Sequence, residues 1–374
     1  MATETSAAKL ISRDRVTDAA ATLFSAADDS GQIPDRFVRI RTDELEVAGE
    51  DEAFELPVVD MAKLLDPELS ASETAKLGSA CRDWGFFHVR AVVSLTSHGV
   101  DEEVLRRMKE SAAEFFRLPL ETKNAIAFRG DDTFHRFGHH FNPGPSVGNK
   151  LDWAECVLLA TQPVQGRKMD MWPANPPSFR DALDKYSLET ADLTRRLLGF
   201  MAADLGVSEE ALVGAFFSIS GDVKGQSVGI HHYPPCRQPE KVLGISPHTD
   251  WPGLTVLLHA VDTPGLQVRR GGRWLPVRPL PGALVVNVGD ILHVLTNGEY
   301  MSAEHRVVPD AERCRITVAM FQDASVDGMV APLPELLEGG QGRARYRSIG
   351  KHEYTKGNFV ALAEGARFLD SLKK

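Results

Sequence analysis

A series of short strand-like segments, separated by glycine turns, occupies residues 227–321 and limits the folds open to this chain. Gly253, Gly265, Gly271 and Gly282 stand between the segments, where the chain has to change direction. The segments lie at residues 227–233, 254–259, 266–269, 273–277, 283–288, 303–308 and 315–321. Short strands at such close spacing predict an all-β sandwich or a jelly roll in this part of the chain.

Helical periodicity dominates the rest of the sequence. Apolar residues recur on one face over 101–116, and residues 176–205 predict a long amphipathic helix that begins near Ser178. A helix at 72–84, short strands at 56–60 and 86–89, and a mainly helical tail at 346–372 are also expected. The architecture is therefore a β core flanked by helices from both ends of the chain.

His248 and Asp250 stand one residue apart and predict a metal site. In an extended strand alternate side chains point the same way, so both can hold one ion between them. His305 lies far enough along the chain to reach the same ion from a second strand. Two imidazoles and one carboxylate leave other positions on the ion open, an arrangement typical of non-haem Fe(II).

The last strand-like segment points to a carboxylate ligand. Arg315, Thr317, Ala319 and Phe321 share one face of this segment, while apolar residues fill the other. If the first face points into a barrel, the guanidinium is costly to bury unless an anion meets it. A guanidinium offers a planar fork to a carboxylate, and the Thr317 hydroxyl can add a hydrogen bond.

Composition excludes some partners. The chain has 374 residues, of which 43% are hydrophobic and 25% charged, a balance typical of ordinary globular proteins. A net charge of −10 argues against nucleic acid or an anionic membrane as the main partner, since both favour basic patches. The four cysteines form no close pair, so reduced core thiols are expected. We expect a small-molecule substrate.

The same sequence predicts where the protein works. Its first residues lack a continuous apolar stretch, so they do not resemble a secretory signal. No stretch is long and apolar enough to span a bilayer. No exposed heptad or apolar stripe demands a partner chain. We therefore expect a cytoplasmic protein that is a monomer.

An ordered set of motifs along most of the chain resembles the plant-type 2-oxoglutarate- and iron(II)-dependent dioxygenases. This family includes flavonol synthase, gibberellin oxidases and alkaloid O-demethylases. The motifs are IPDRF at 33–37, LPVVD at 56–60, WGFF at 84–87, HGV at 98–100, YPPC at 233–236, HTD at 248–250, NGEY at 297–300, EHR at 304–306 and RIT at 315–317.

The resemblance implies a fold and a division of the chain. It implies an α+β protein in which a double-stranded β-helix (jelly-roll) core is flanked by N-terminal and C-terminal helices. Residues 1–220 would form a mostly helical region, with a family-type segment at about 55–165. Residues 221–330 would form the catalytic core, and residues 331–374 a helical tail that packs on it.

The resemblance also implies a role for each site residue. His248, Asp250 and His305 would bind Fe(II), while Arg315, Thr317 and Tyr233 would bind 2-oxoglutarate. Oxygen is then the second cosubstrate, and ascorbate serves as reductant. Two departures from the family are Thr317, where Ser is usual, and His231, where Asn is common.

The loop at 129–149 carries the candidate substrate residues. These aromatic candidates are Phe134, Phe137, His139, His140 and Phe141. Two further candidates, Phe321 and His231, lie in the strand-like segments of the core. The alternative for each is packing in the core. His259 and His293 are expected to be structural, because each ends or interrupts an apolar segment.

The expected activity is hydroxylation or oxidative demethylation of a small, largely apolar plant metabolite, aromatic or hormone-like. It is coupled to decarboxylation of 2-oxoglutarate to succinate and CO2. One alternative is an oxidase of the same fold that uses ascorbate without 2-oxoglutarate. Another is a non-catalytic protein that binds a small ligand on this scaffold.

Overall fold

The computed structural model describes residues 33–39, 55–90, 99–127, 135–139, 150–338, 343–363 and 366–374. Its strands are β1 (Val58–Asp60), β2 (Phe86–Arg90), β3 (Arg136–His139), β4 (Glu155–Gln162), β5 (Gln226–Tyr233), β6 (Ile245–His248), β7 (Leu254–His259), β8 (Leu266–Arg270), β9 (Arg273–Pro276), β10 (Ala283–Val288), β11 (His305–Val307), β12 (Arg315–Gln322), β13 (Met329–Val330) and β14 (Ile349–Gly350).

Helices precede, interrupt and follow these strands. The α-helices are α1 (Met61–Leu65), α2 (Ser70–Asp83), α3 (Glu102–Arg117), α4 (Leu120–Asn124), α5 (Phe179–Leu205), α6 (Glu209–Val213), α7 (Asp290–Leu295), α8 (Pro334–Glu338) and α9 (Lys351–Ala363). Short 3-10 helices lie at Val164–Gly166, Pro239–Lys241 and Phe368–Leu372.

Two facing sheets form the core. One has eight strands in the order β1-β2-β10-β7-β12-β5-β4-β3, and the other has four in the order β6-β11-β8-β9. From β5 to β12 the chain passes back and forth between them, since β5, β7, β10 and β12 lie in the large sheet. This winding is a double-stranded β-helix, or jelly roll, and it confirms the predicted α+β class.

Strands from the first half of the chain extend the large sheet at both edges. β1 pairs with β2, which pairs with β10, while β3 and β4 continue the sheet beyond β5. The large sheet thus contains strands from both sides of residue 220, and the expected boundary there stays a prediction.

The outer face of the large sheet is covered by helices. Ile316, Val318 and Met320 of β12 lie in one buried cluster with Leu197 and Met201 of α5. α5 matches the helix predicted from residue 178, and it ends at Gly206, whose φ of 68° is favourable for glycine. The apolar face of β12 is therefore core, as predicted.

The inner face of the large sheet looks toward the small sheet. Phe86, Tyr233 and Val285 from the large sheet pack in one cluster with Ile245 and Val307 of the small sheet. Paired residues of adjacent strands point the same way. The register therefore places Arg315 and Thr317, together with their partners, on this inner face.

Candidate metal centre and cosubstrate site

Three side chains from the small sheet and the loop after it converge at one end of the barrel. His248 ends β6 and lies opposite His305, the first residue of β11. Nε2 of His248 is 3.7 Å from Oδ1 of Asp250, and Nε2 of His305 is 3.6 Å from the same oxygen. One ligand atom from each residue lies within 4.8 Å of the others, so a single ion can contact all three.

The backbone orients both imidazoles for this purpose. Nδ1 of His248 is 2.8 Å from the Ser246 carbonyl, and Nδ1 of His305 is 3.1 Å from the Ala303 carbonyl. A carbonyl only accepts, so each Nδ1 carries the proton. The unprotonated Nε2 of each ring is left for a metal.

Asp250 is held in the same way by its second oxygen. Oδ2 accepts hydrogen bonds from Oγ1 of Thr255 at 2.6 Å and from Nδ2 of Asn287 at 2.7 Å. Oδ1, which faces the two imidazoles, is left for a metal. Thr255 and Asn287 were missed by the sequence analysis, although each is a polar residue within an otherwise apolar strand.

The protonation states suit metal binding. Burial alone would raise the pKa of Asp250, but the nearby histidines and the two hydrogen bonds outweigh it and lower that pKa. Burial, together with the nearby His248, lowers the pKa of His305. A carboxylate and neutral imidazoles are the ligand forms that a divalent cation requires. The residues therefore fit Fe(II), and positions on the side away from them remain open.

Arg315 lies deeper in the barrel and is only 1% exposed. Its Cζ atom is 5.1 Å from the centre of the Tyr233 ring. Within the described part of the chain no carboxylate pairs with it, and its Nε and Nη2 atoms have no hydrogen-bond partner. Burial lowers the pKa of Arg315. A carboxylate ligand at this point would remove the cost of burying the cation.

Two hydroxyl groups lie beside this guanidinium. Burial raises the pKa of Tyr233 to about 12, so its hydroxyl stays protonated and can donate. Thr317 is 1% exposed and shares the inner face with Arg315. The structure thus brings together Arg315, Thr317 and Tyr233.

His231 and Phe321 also lie on the inner face. His231 pairs with Thr317, and burial followed by the charge of Arg315 lowers its pKa to about 3, so the ring is neutral. A Cβ atom added at Gly229 would lie 2.8 Å from the His231 ring and 3.1 Å from that of Phe321. Glycine at this position lets both rings lie close to the strand.

The candidate residues on β3 do not face the metal centre. Phe137 is 1% exposed and packs edge-on against Phe115 of α3, on the outer face of the sheet. His139 shares that face by strand alternation, and its Nδ1 atom is 3.0 Å from the Ala154 carbonyl. Phe137 and His139 thus face away from His248 and His305, and their expected substrate role stays a prediction. Three further candidates lie outside the described residues: Phe134, His140 and Phe141.

Trp251 and His293 are structural. Trp251 packs edge-on against Phe359 of α9. His293 bonds through Nδ1 to the Tyr300 carbonyl at 2.6 Å and through Nε2 to the Tyr346 hydroxyl at 2.7 Å. His293 is structural, as predicted.

In the described ranges no helix is both long enough and apolar enough to cross a bilayer.

Family models and solved structures match this arrangement. The model of the 2OG-Fe(II) oxygenase superfamily matches residues 224–324. The model described as non-haem dioxygenase in morphine synthesis N-terminal matches residues 56–175. The crystal structure of JOX2 in complex with 2OG, Fe and JA superposes with a TM-score of 0.80 at 30% identity, covering 94% of this chain and 97% of that one.

Curated plant proteins are similar over nearly the whole chain. Protein SRG1 of Arabidopsis thaliana is 38% identical over 342 residues, which cover 91% of this chain and 92% of that protein. Oxoglutarate-dependent flavonoid 7-O-demethylase 1 of Ocimum basilicum is 37% identical, covering 85% of this chain and 82% of that protein. The chain therefore belongs to the 2OG-Fe(II) oxygenase superfamily and is an oxidoreductase that uses Fe(II) and 2-oxoglutarate.

Proposed function

We propose that His248, Asp250 and His305 hold the Fe(II), and that Arg315, Thr317 and Tyr233 bind the distal carboxylate of 2-oxoglutarate. The observation that carries the first assignment is the single Asp250 oxygen that faces both Nε2 atoms. The second is supported by the buried Arg315, which pairs with no carboxylate of the described ranges. His231 lies between the two sets of residues and is proposed to contact the cosubstrate.

Bound together, iron and 2-oxoglutarate supply oxygen activation coupled to release of CO2 and formation of succinate. The chain's own residues position the metal and the cosubstrate and shield them from water. In the neutral rings of His248 and His305, Nδ1–H donates to a backbone carbonyl, which leaves the Nε2 lone pair for the metal. Phe86 packs edge-on against His305 with ring centres 5.1 Å apart and limits the access of water to that side.

The substrate is proposed to be a small, largely apolar plant metabolite, aromatic or hormone-like, that is hydroxylated or oxidatively demethylated. The inner face near the metal centre is apolar at Leu257, Val285 and Phe321, which favours an apolar substrate. Relatives named for flavonoid O-demethylation and for a complex with JA support this class. We also propose that ascorbate serves as reductant and that the enzyme acts as a cytoplasmic monomer.

Replacement of Asp250 by Ala tests the metal assignment. The variant should lose bound iron and turnover, because it leaves two imidazoles without the carboxylate. Iron content after desalting and succinate release with a panel of apolar plant metabolites are the two measurements. Asp262→Ala, at an exposed position, is the matched control and should behave as the wild type. An Asp250→Ala variant that keeps both iron and activity would refute the assignment.

The same assay identifies the reaction. Hydroxylation adds one oxygen atom to the product, whereas demethylation releases formaldehyde, and succinate should form in proportion to either. Oxidation that proceeds with ascorbate alone, without succinate, would instead favour the ascorbate-using oxidase.

A further inference from the structure

His259 ends β7 on the inner face, beside the residues proposed to bind the distal carboxylate of 2-oxoglutarate. The register places it directly opposite Thr317. Opposite residues on adjacent antiparallel strands have Cβ atoms about 4.5 to 5.5 Å apart, and diagonal neighbours follow at about 7 to 8 Å. Arg315 is such a diagonal neighbour on the same face. The imidazole, the hydroxyl and the guanidinium thus form one group.

This imidazole is buried, and the described residues give it no hydrogen bond. His259 is 4% exposed, yet neither of its ring nitrogens has a partner among them. Buried polar atoms without partners are uncommon in folded proteins and call for an explanation. Nε and Nη2 of Arg315 also have no partner in the part of the chain that the structure describes. Unmet donors on two neighbouring side chains point to an anion that both would contact.

A purely structural histidine in this protein looks different. His293 is also largely buried, but a carbonyl and a tyrosine hydroxyl satisfy both of its ring nitrogens. His259 therefore lacks the hydrogen bonds that hold His293, and its expected structural role stays a prediction.

The charge state of His259 also suits this position. Burial, followed by the nearby charges of Arg315 and His88, lowers its pKa to about 2. A neutral imidazole carries one N–H donor, which can bond to a carboxylate oxygen without placing a second cation beside Arg315.

We propose that His259 is a further binding residue for 2-oxoglutarate, whose N–H group donates to the distal carboxylate held by Arg315 and Thr317. This inference rests on the proposed function, because it assumes that the distal carboxylate lies at Arg315. With His259, the site would select a dicarboxylic 2-oxo acid through three kinds of donor: a guanidinium, a hydroxyl and an imidazole N–H group.

The test compares two ligands that differ only at the distal end. The full-length protein is loaded with Mn(II), which prevents turnover, and calorimetry measures the affinities for 2-oxoglutarate and for 2-oxobutanoate, which lacks the distal carboxylate. His259→Phe and His259→Leu remove the donor with different shapes, so the test does not depend on one variant folding. Each should weaken 2-oxoglutarate about ten- to a hundredfold and leave 2-oxobutanoate unchanged.

Two further variants complete the experiment. His259→Gln keeps an N–H donor and should retain most of the preference for 2-oxoglutarate, while Arg315→Ala should lose that preference. Unchanged 2-oxoglutarate affinity in the Phe and Leu variants, or an equal loss for both ligands, would overturn the proposal. A wild-type protein that does not distinguish the two ligands would instead show that the proposed cosubstrate site is wrong.

Discussion

Asp250 offers one oxygen, Oδ1, to the proposed Fe(II), because two hydrogen bonds already occupy Oδ2. Thr255 and Asn287 reach Oδ2 from two adjacent strands of the large sheet, so the rigid sheet fixes a side chain that lies in a loop. Partners of this kind orient metal ligands, and their loss typically costs about ten- to a hundredfold in metal affinity.

Thr255→Val should therefore weaken iron binding by about ten- to a hundredfold while the fold is kept, since Val preserves the shape but removes the hydroxyl. Thr255→Ser keeps the hydroxyl and is the matched control. Competition for Fe(II) with a chelator of known affinity measures the difference. Equal iron affinity in the Val and Ser variants would show that Asn287 alone orients Asp250.

At the residue scale, the sequence predicts which residue types carry chemistry better than it predicts which way their side chains point. The proposed metal ligands and the group around Arg315 follow from residue type and spacing, although alternation holds only for Arg315 and Thr317 on β12, since Asp250 lies in the loop after β6. Phe137 shows where this reasoning ends: alternation gives two faces, but only the pairing of β3 with β4 decides which face is inside. The sequence did not indicate the position of His259 beside Thr317 and Arg315, because these residues are distant in sequence and only strand pairing brings them together.

At the element scale, α5 is the main support of the large sheet. Thirteen of its side chains are buried, and several of them share one cluster with the outer face of β12, behind the residues proposed to bind 2-oxoglutarate. Leu197 is fully buried there, whereas Leu188 on the same helix is 53% exposed. The two positions differ in burial but share residue type and helix.

Leu197→Ala should lower the free energy of unfolding by about 2 to 5 kcal/mol, since it removes buried methyl groups and leaves a cavity. Leu188→Ala should change it by less than about 0.5 kcal/mol. Urea unfolding followed by circular dichroism measures both. Similar midpoints for the two variants would mean that α5 does not pack on the sheet as described.

Elements were predictable where their pattern was long. α3 and α5 follow from apolar periodicity, and most strands between residues 227 and 321 follow from their turns. The extended strand assumed at His248 is β6, but it is short and ends at His248, so Asp250 lies in the loop after it. The helix α7 was missed because its Gly-Asp start resembles a turn; buried Ile291 and Leu292 stabilise it through tertiary contacts.

At the scale of the whole molecule, the inner face combines an apolar barrel with several buried, neutral histidines. The pKa of His231 is lowered to about 3 and that of His259 to about 2, in each case mainly by burial, from an ordinary value of 6.5. Such groups bind protons in the unfolded chain at a pH where the folded protein cannot. The unfolded state therefore gains stability as the pH falls below 6.5.

The sign of this effect predicts acid sensitivity. For each of these histidines the stabilisation is complete above the unfolded pKa and is lost as the pH falls toward the folded one. Lowering the pH from 7.5 to 5 should reduce the free energy of unfolding by about 2 kcal/mol for each of these two histidines. Urea unfolding of the metal-free protein at the two pH values measures the loss. The metal-free protein is used because iron binding itself depends on pH and would add to the measured difference.

His259→Gln isolates the share of one histidine. The variant has no titrating group at this position, so its loss of stability between the two pH values should be smaller than that of the wild type by about 2 kcal/mol. His352→Gln is the control, because His352 is exposed on α9 and its replacement should leave the difference unchanged. If the His259→Gln variant loses as much stability as the wild type, His259 is able to take up a proton in the folded protein, and its environment in the barrel is more polar than the packing around it indicates.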